Sequence, residues 1–255
     1  MCPNLSIRLT VRRGFSFLVC ALTLNLGLWQ FSIAKAPTAS KSQQNQPVSQ
    51  ELSEADKLFI ELRDAARKND VTRSGQLAAA LVNYPYTDYV RYFRIKPQLF
   101  DKGSEARADT ILDEEVYAFL RAYEGTAIAD RLRNDWLLVL GKRKDWPQFD
   151  KEYSLFMLDD DTNVKCYALQ SRLAKQEDPK RIGEDALKIM IDPRNFGSAC
   201  QELVPLLVQA KGLTISQAKA LGRAAAEMNL ETIGKRIGGD DLLATLVRSA
   251  RADAS

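Results

Sequence analysis

Apolar residues recur at helical spacing along most of the chain. Leu58, Phe59, Leu62, Ala65 and Ala66 follow one another at one, four, seven and eight positions, the signature of one buried helix face. Ser53 precedes this run as a cap, and Asp56 stands where a capping box needs its acid. Leu77, Ala80, Leu81 and Tyr84 predict a second helix stopped by Pro85. Tyr89, Val90, Tyr92 and Phe93 predict a third, ending before Pro97. Further helices are predicted near 112–123, 128–141, 146–157, 163–176, 180–190, 198–210 and 215–228. No stretch alternates as a strand would, and the connections are short. The predicted class is all-α, with neighbouring helices antiparallel.

A weak repeat runs through these helices. "LGKRKD" (Leu140 to Asp145) and "LAKQED" (Leu173 to Asp178) are offset by 33 residues, and "AARKND" (Ala65 to Asp70) ends similarly. Each puts a small residue (Gly141, Ala174, Ala66) four positions before an aspartate. The small residue would let helices approach at their turn, and the aspartate would cap the next helix. Such a period is that of helical-hairpin solenoids.

The amino terminus differs. Arg8, Arg12 and Arg13 precede an apolar run from Phe15 to Trp29 and a small-residue exit, the order of an export signal. Residues 1–34 are read as a signal peptide cut after Ala34. A cut after Ala36 and an uncleaved anchor from Gly14 to Ala34 are the alternatives. Residues 35–52, rich in Gln and Ser, read as a disordered linker. Residues 53–255 form the helical domain. The leader holds three of the 36 basic residues and none of the 33 acids, so the remainder is balanced. Nothing in that balance argues for a nucleic-acid partner. A membrane association would come only through an uncleaved leader.

Export sets the cysteine chemistry. Cys2 and Cys20 would leave with the leader, and Cys166 and Cys200 would remain. A disulfide is the default for such a pair, closing a loop of about 33 residues. Two separately buried thiols are the alternative. The chain has no histidine, which removes Cys–His and Ser–His nucleophiles and His-based metal sites. "LDDDT" (Leu158 to Thr162) lacks the spacing of a calcium loop and reads as a turn with an N-cap. "GKRIGGDD" (Gly234 to Asp241) is no phosphate loop and reads as a helix C-cap followed by a turn. No cofactor, metal or catalytic residue is assigned. "YPYTDYVRYFRI" (Tyr84 to Ile95) is the densest aromatic run. Tyr89, Val90 and Phe93 share a helical face and read as a core anchor. The alternative is a sugar-stacking face completed by Arg91 and Arg94. Trp136 and Trp146 read as packing residues.

Several of these stretches resemble one family. "YPYTDYVRYFRI", the segment from Val116 to Tyr153 and "VKCYALQSRLAKQED" with "NFGSAC" and "LVPLL" are similar, in this order, to the amino-terminal part of soluble lytic murein transglycosylases. The similarity runs from about Ala55 to Leu213. It implies a periplasmic right-handed superhelix (solenoid) of short antiparallel helical hairpins, with a cysteine pair bridged between helices, here Cys166 and Cys200. It also implies peptidoglycan as a partner. The family's lysozyme-like catalytic motifs are not found in these 255 residues. The expected role is therefore structural or glycan-guiding, beside a separate catalytic domain or cell-wall protein. The alternative is an independent periplasmic scaffold for a protein partner.

Overall fold

In a computed structural model of the chain, residues 52–252 are described. The expected leader, its cleavage site and the linker as far as residue 51 lie outside them. Twelve α-helices make up the described part, with one isolated bridge between Phe100 and Ala106 in the connection before the fourth. They are α1 (Glu54–Arg67), α2 (Val71–Ala80), α3 (Thr87–Ile95), α4 (Asp113–Ala122), α5 (Ala127–Arg143) and α6 (Trp146–Tyr153). There follow α7 (Thr162–Ala174), α8 (Pro179–Ile189), α9 (Ser198–Gln209), α10 (Ile215–Glu227), α11 (Glu231–Gly238) and α12 (Asp240–Ala252). Short 3₁₀ turns, Lys96–Gln98 and Pro193–Asn195, follow α3 and precede α9.

The first helix starts as its sequence requires. Ser53 Oγ accepts from the Asp56 N–H at 3.1 Å, and the Asp56 carboxylate accepts from the Ser53 N–H at 3.2 Å. The second ends earlier than expected, at Ala80. Tyr84 lies in the following turn, its ring stacked on Phe59 at 4.8 Å and its hydroxyl donating to Asp56 at 2.8 Å. Those contacts require the chain to leave the helix before Tyr84.

Five helix-to-helix turns share one hydrogen-bond pattern. Asn69, Lys144, Gln176, Lys211 and Asn229 all have positive φ, between 53° and 62°. The N–H after each reaches back five positions: Asp70 to Ala65, Asp145 to Leu140, Glu177 to Arg172, Gly212 to Leu207 and Leu230 to Ala225, at 2.8–3.2 Å. The N–H of the left-handed residue itself bonds inside that loop, as Lys144 does to Gly141 at 3.0 Å. This is the Schellman closure, which satisfies carbonyls that a helix end otherwise leaves bare. The next helix is then capped: Asp70 accepts from the Arg73 N–H, Asp145 from Gln148 and Asp178 from Lys180. The repeated aspartates thus do what their position suggested.

The repeated small residues do so at two sites of three. Ala66 is buried, and a methyl on Gly141 would sit 2.3 Å from the Tyr167 ring. Ala174, by contrast, is exposed.

Successive odd-numbered helices touch: α1 with α3, α3 with α5, α5 with α7, α7 with α9 and α9 with α11. The main core draws on this row and on the even helices packed against it, with Phe119 of α4, Trp136 and Leu137 of α5, Phe149 of α6, Tyr167 of α7 and Leu203 of α9 among its fully buried side chains. Trp146, also expected to pack, is half-buried against it. Cys166 of α7 and Cys200 of α9 are both fully buried and joined by a disulfide, with Cα atoms 5.1 Å apart. Tying two odd helices across 34 positions removes about 3–4 kcal/mol of loop entropy from the unfolded chain in the chain-entropy treatment.

The glycine-rich segment keeps its expected C-cap, at Gly239, but departs from its expected form in the rest. Gly234 and Gly238 lie inside α11, Gly239 is its C-cap, and α12 continues through the polar end to Ala252. The reason is packing. A methyl on Gly222 of α10 would come 2.8 Å from the Gly238 Cα and 2.9 Å from the Gly234 carbonyl oxygen. The glycines let two helix backbones meet.

The left-handed turns generate a stability prediction. Lys144 and Lys211 are exposed and hold left-handed φ with a side chain that disfavours it. Lys144→Gly and Lys211→Gly should each stabilise the protein by about 0.5–1 kcal/mol, the ~1–2 kcal/mol of relieved strain less the extra entropy glycine loses. Denaturant midpoints measure this.

Candidate functional site

The aromatic run of α3 faces two ways. Val90, Tyr92 and Ile95 are buried, whereas Tyr89 is 39% exposed and Phe93 is half-buried. The core-anchor reading therefore holds for Val90 and in part for Phe93, which packs half-buried against the core, but not for Tyr89, which sits on the open side of the helix. The expected arginine partners also turn away. Arg91 lies over the rings of Phe119 and Tyr123, at 5.6 and 5.4 Å, and Arg94 pairs with Glu115. Both belong to the side of α3 that meets α4.

Other cations take their place. Tyr89, Tyr92 and Phe93 border a cup of about 390 Å³ whose charged lining is Arg63, Arg67, Lys96 and Arg131. These residues come from α1, the 3₁₀ turn after α3, and α5. Spacing along one helix could not reveal the cup, because its cations are separated by up to 68 positions, Arg63 to Arg131.

A second opening adjoins the cup. About 470 Å³ in volume, it lies between α5 and the starts of α7 and α9, and Arg131 borders both. Its wall is an ordered polar chain. Asp161, the N-cap of α7, accepts from the N–H groups of Asn163 at 2.8 Å and Val164 at 3.2 Å. Its other oxygen accepts from Asn134 Nδ2 at 3.1 Å. Asn163 Oδ1 in turn accepts from the Ala199 N–H at 2.9 Å, which ties α7 to the start of α9. Because Asp161 only accepts, Asn134 must present its amide nitrogen there. Its Oδ1 then remains a buried acceptor that no protein donor reaches. The acidic stretch Leu158 to Thr162 is thus a turn with an N-cap, as expected, with the added task of holding Asn134.

The acids near these openings are engaged with protein partners. Asp130 accepts from the N–H of Leu158 at 2.7 Å, from that of Met157 at 3.1 Å, and from Arg133 at 3.1 Å. Arg133 also donates to Glu152 at 3.2 Å, and all three are buried. This cluster fastens the connection after α6 to α5. Asp135 accepts from the Tyr92 hydroxyl at 3.0 Å. Burial pushes the Asp135 carboxyl up to about 6, against the pull of Lys96, the Tyr92 hydroxyl and Arg131. Burial raises Tyr92 as well, and the Asp135 charge adds to it.

Among the described residues no group of three or more His, Cys, Asp or Glu side chains could hold a metal, and no helix is long and apolar enough to cross a membrane. Cys166 and Cys200 stand fully buried in the core as a staple and line neither opening, although Cys200 Sγ lies 3.5 Å from the carbonyl of Thr162 at the edge of the polar one. No family model, curated protein or solved structure matches the chain. Its family reading therefore rests on the collinear motifs alone.

Asp135 gives a pH prediction. Its folded value lies above the ordinary carboxylate value of 3.8, so the folded state holds the proton more tightly. Its contribution is most favourable below about pH 4 and is lost as pH rises towards about 6. Asp135→Asn keeps an acceptor for Tyr92 without the buried charge. It should stabilise the protein by about 2–3 kcal/mol at pH 7.5, with little effect at pH 4. Thermal unfolding across pH reads both.

Proposed function

We propose that this chain is an exported, peptidoglycan-associated helical module of the soluble lytic transglycosylase type. It guides glycan strands and carries no cleavage chemistry of its own. The hairpins stack as a right-handed superhelix, and the row of odd helices forms its glycan-facing side. The observation that carries this reading is the pair of openings along that row, one aromatic and basic and the other amide-lined, sharing Arg131. A linear polymer needs such a strip more than an enclosed pocket. The succession of contacts from α1 to α11 supports a one-dimensional stack. The bridge from Cys166 to Cys200 supports both export and the family's interhelical cysteine pair.

The way two of the three buried acids among the described residues are held supports the non-catalytic reading. Glu152 is tied to Arg133, and Asp130 to two backbone N–H groups. Neither is free to protonate a glycosidic oxygen.

Purified protein lacking the leader, incubated with peptidoglycan sacculi and centrifuged, should appear in the pellet while the supernatant holds no 1,6-anhydro muropeptides by mass spectrometry. Anhydro products would overturn the non-catalytic part of the reading. Protein that stays wholly in the supernatant would overturn the glycan part, leaving the scaffold for a protein partner.

A further inference from the structure

The charge of the cup between α1, α3 and α5 is more specific than a general glycan strip requires. Four cations border it and no acid does. The acids behind them offset this only in part. Asp64 lies 2.9 Å from Arg63, and Asp160 is 4.0 Å from Arg131. Asp135 sits behind Tyr92, where Lys96 and Arg131 act on it. Arg67 is exposed and has no ion-pair partner among the described residues. Lys96 rests over the Phe100 ring at 5.0 Å. Facing these cations are the Tyr89 and Phe93 rings, 6.4 Å apart, with Tyr89 open to solvent.

Guanidinium groups match a carboxylate in two parallel hydrogen bonds, and aromatic rings offer an apolar face with a polar edge. A neutral sugar would use the rings and leave the cations idle. A simple anion would use the cations and leave the rings idle. We propose that this cup binds a carboxylate-bearing sugar, its acid on the Arg67, Lys96 and Arg131 side and its ring against Tyr89 and Phe93. The volume, about 390 Å³, lies within the range of small-ligand pockets. The inference rests on the glycan-guiding reading only for its source: the acid sugar would be the lactyl-bearing residue of peptidoglycan strands freed of stem peptides, which otherwise hold its carboxyl as an amide, and not the uronate of another polymer.

The test is calorimetric titration of the purified protein at low ionic strength with N-acetylmuramic acid, glucuronic acid, N-acetylglucosamine and inorganic phosphate. The acid sugars should bind roughly tenfold or more tightly than either N-acetylglucosamine or phosphate, with affinity falling as salt rises. Arg67→Gln and Tyr89→Ala should each weaken acid-sugar binding by about tenfold, with the unfolding temperature nearly unchanged in the exposed Arg67 variant and lowered by a few degrees in the Tyr89 variant, which also loses ring contacts with Tyr86 and Phe93. Equal affinity for N-acetylglucosamine, equal affinity for phosphate, no binding, or full affinity in both variants would each overturn the proposal. Binding of glucuronic acid by protein that ignores peptide-free peptidoglycan strands would uphold the cup and overturn the peptidoglycan source.

Discussion

The fold depends on closing helix ends cheaply and repeatedly. Every helix leaves carbonyls at one end and N–H groups at the other without internal partners. Here, at five turns, one left-handed residue folds the chain back so that the carbonyls are satisfied within two positions. At three of these turns an aspartate then takes up the next N–H groups. Helices joined by so short a connection pack on each other, as α1 and α2, α5 and α6, α7 and α8, and α10 and α11 do. The odd helices are thereby laid side by side, and side chains far apart in sequence come together on their common face.

That face carries both the rigidity and the two openings. The disulfide joins α7 to α9, while Asn163 holds the start of α9 and Asp161 holds Asn134 of α5. The polar opening is therefore framed by three helices locked to one another. The basic cup beside it draws on α1, α3 and α5, with Tyr92 and Asp135 forming a buried link between the last two. Arg131 belongs to both openings, so one side chain borders the two.

Much of this was legible in the sequence, and the failures have physical causes. Helix spacing and the capping residues Ser53, Asp70, Asp145 and Asp178 could be read directly, because a cap is a local interaction with a distinctive side chain. The left-handed residues Lys144, Gln176 and Lys211 could not, since no glycine marks them. The glycines from Gly234 to Gly239 pointed to a turn, yet most of them serve a close helix crossing whose partner, Gly222, lies on another helix. Tyr89 was placed in the core because a short amphipathic helix offers few residues to define its face. The cup's cations come from three separate elements, so only the folded chain assembles them.

The most direct test of the account is to map which backbone amides shift in a two-dimensional NMR spectrum when soluble, sonicated glycan strands are added. Shifts centred on Tyr89, Phe93, Arg131, Asn134 and Asn163 are predicted, following the row of odd helices across both openings. Shifts confined to α10, α11 and α12, or a spectrum left unchanged by the strands, would contradict it.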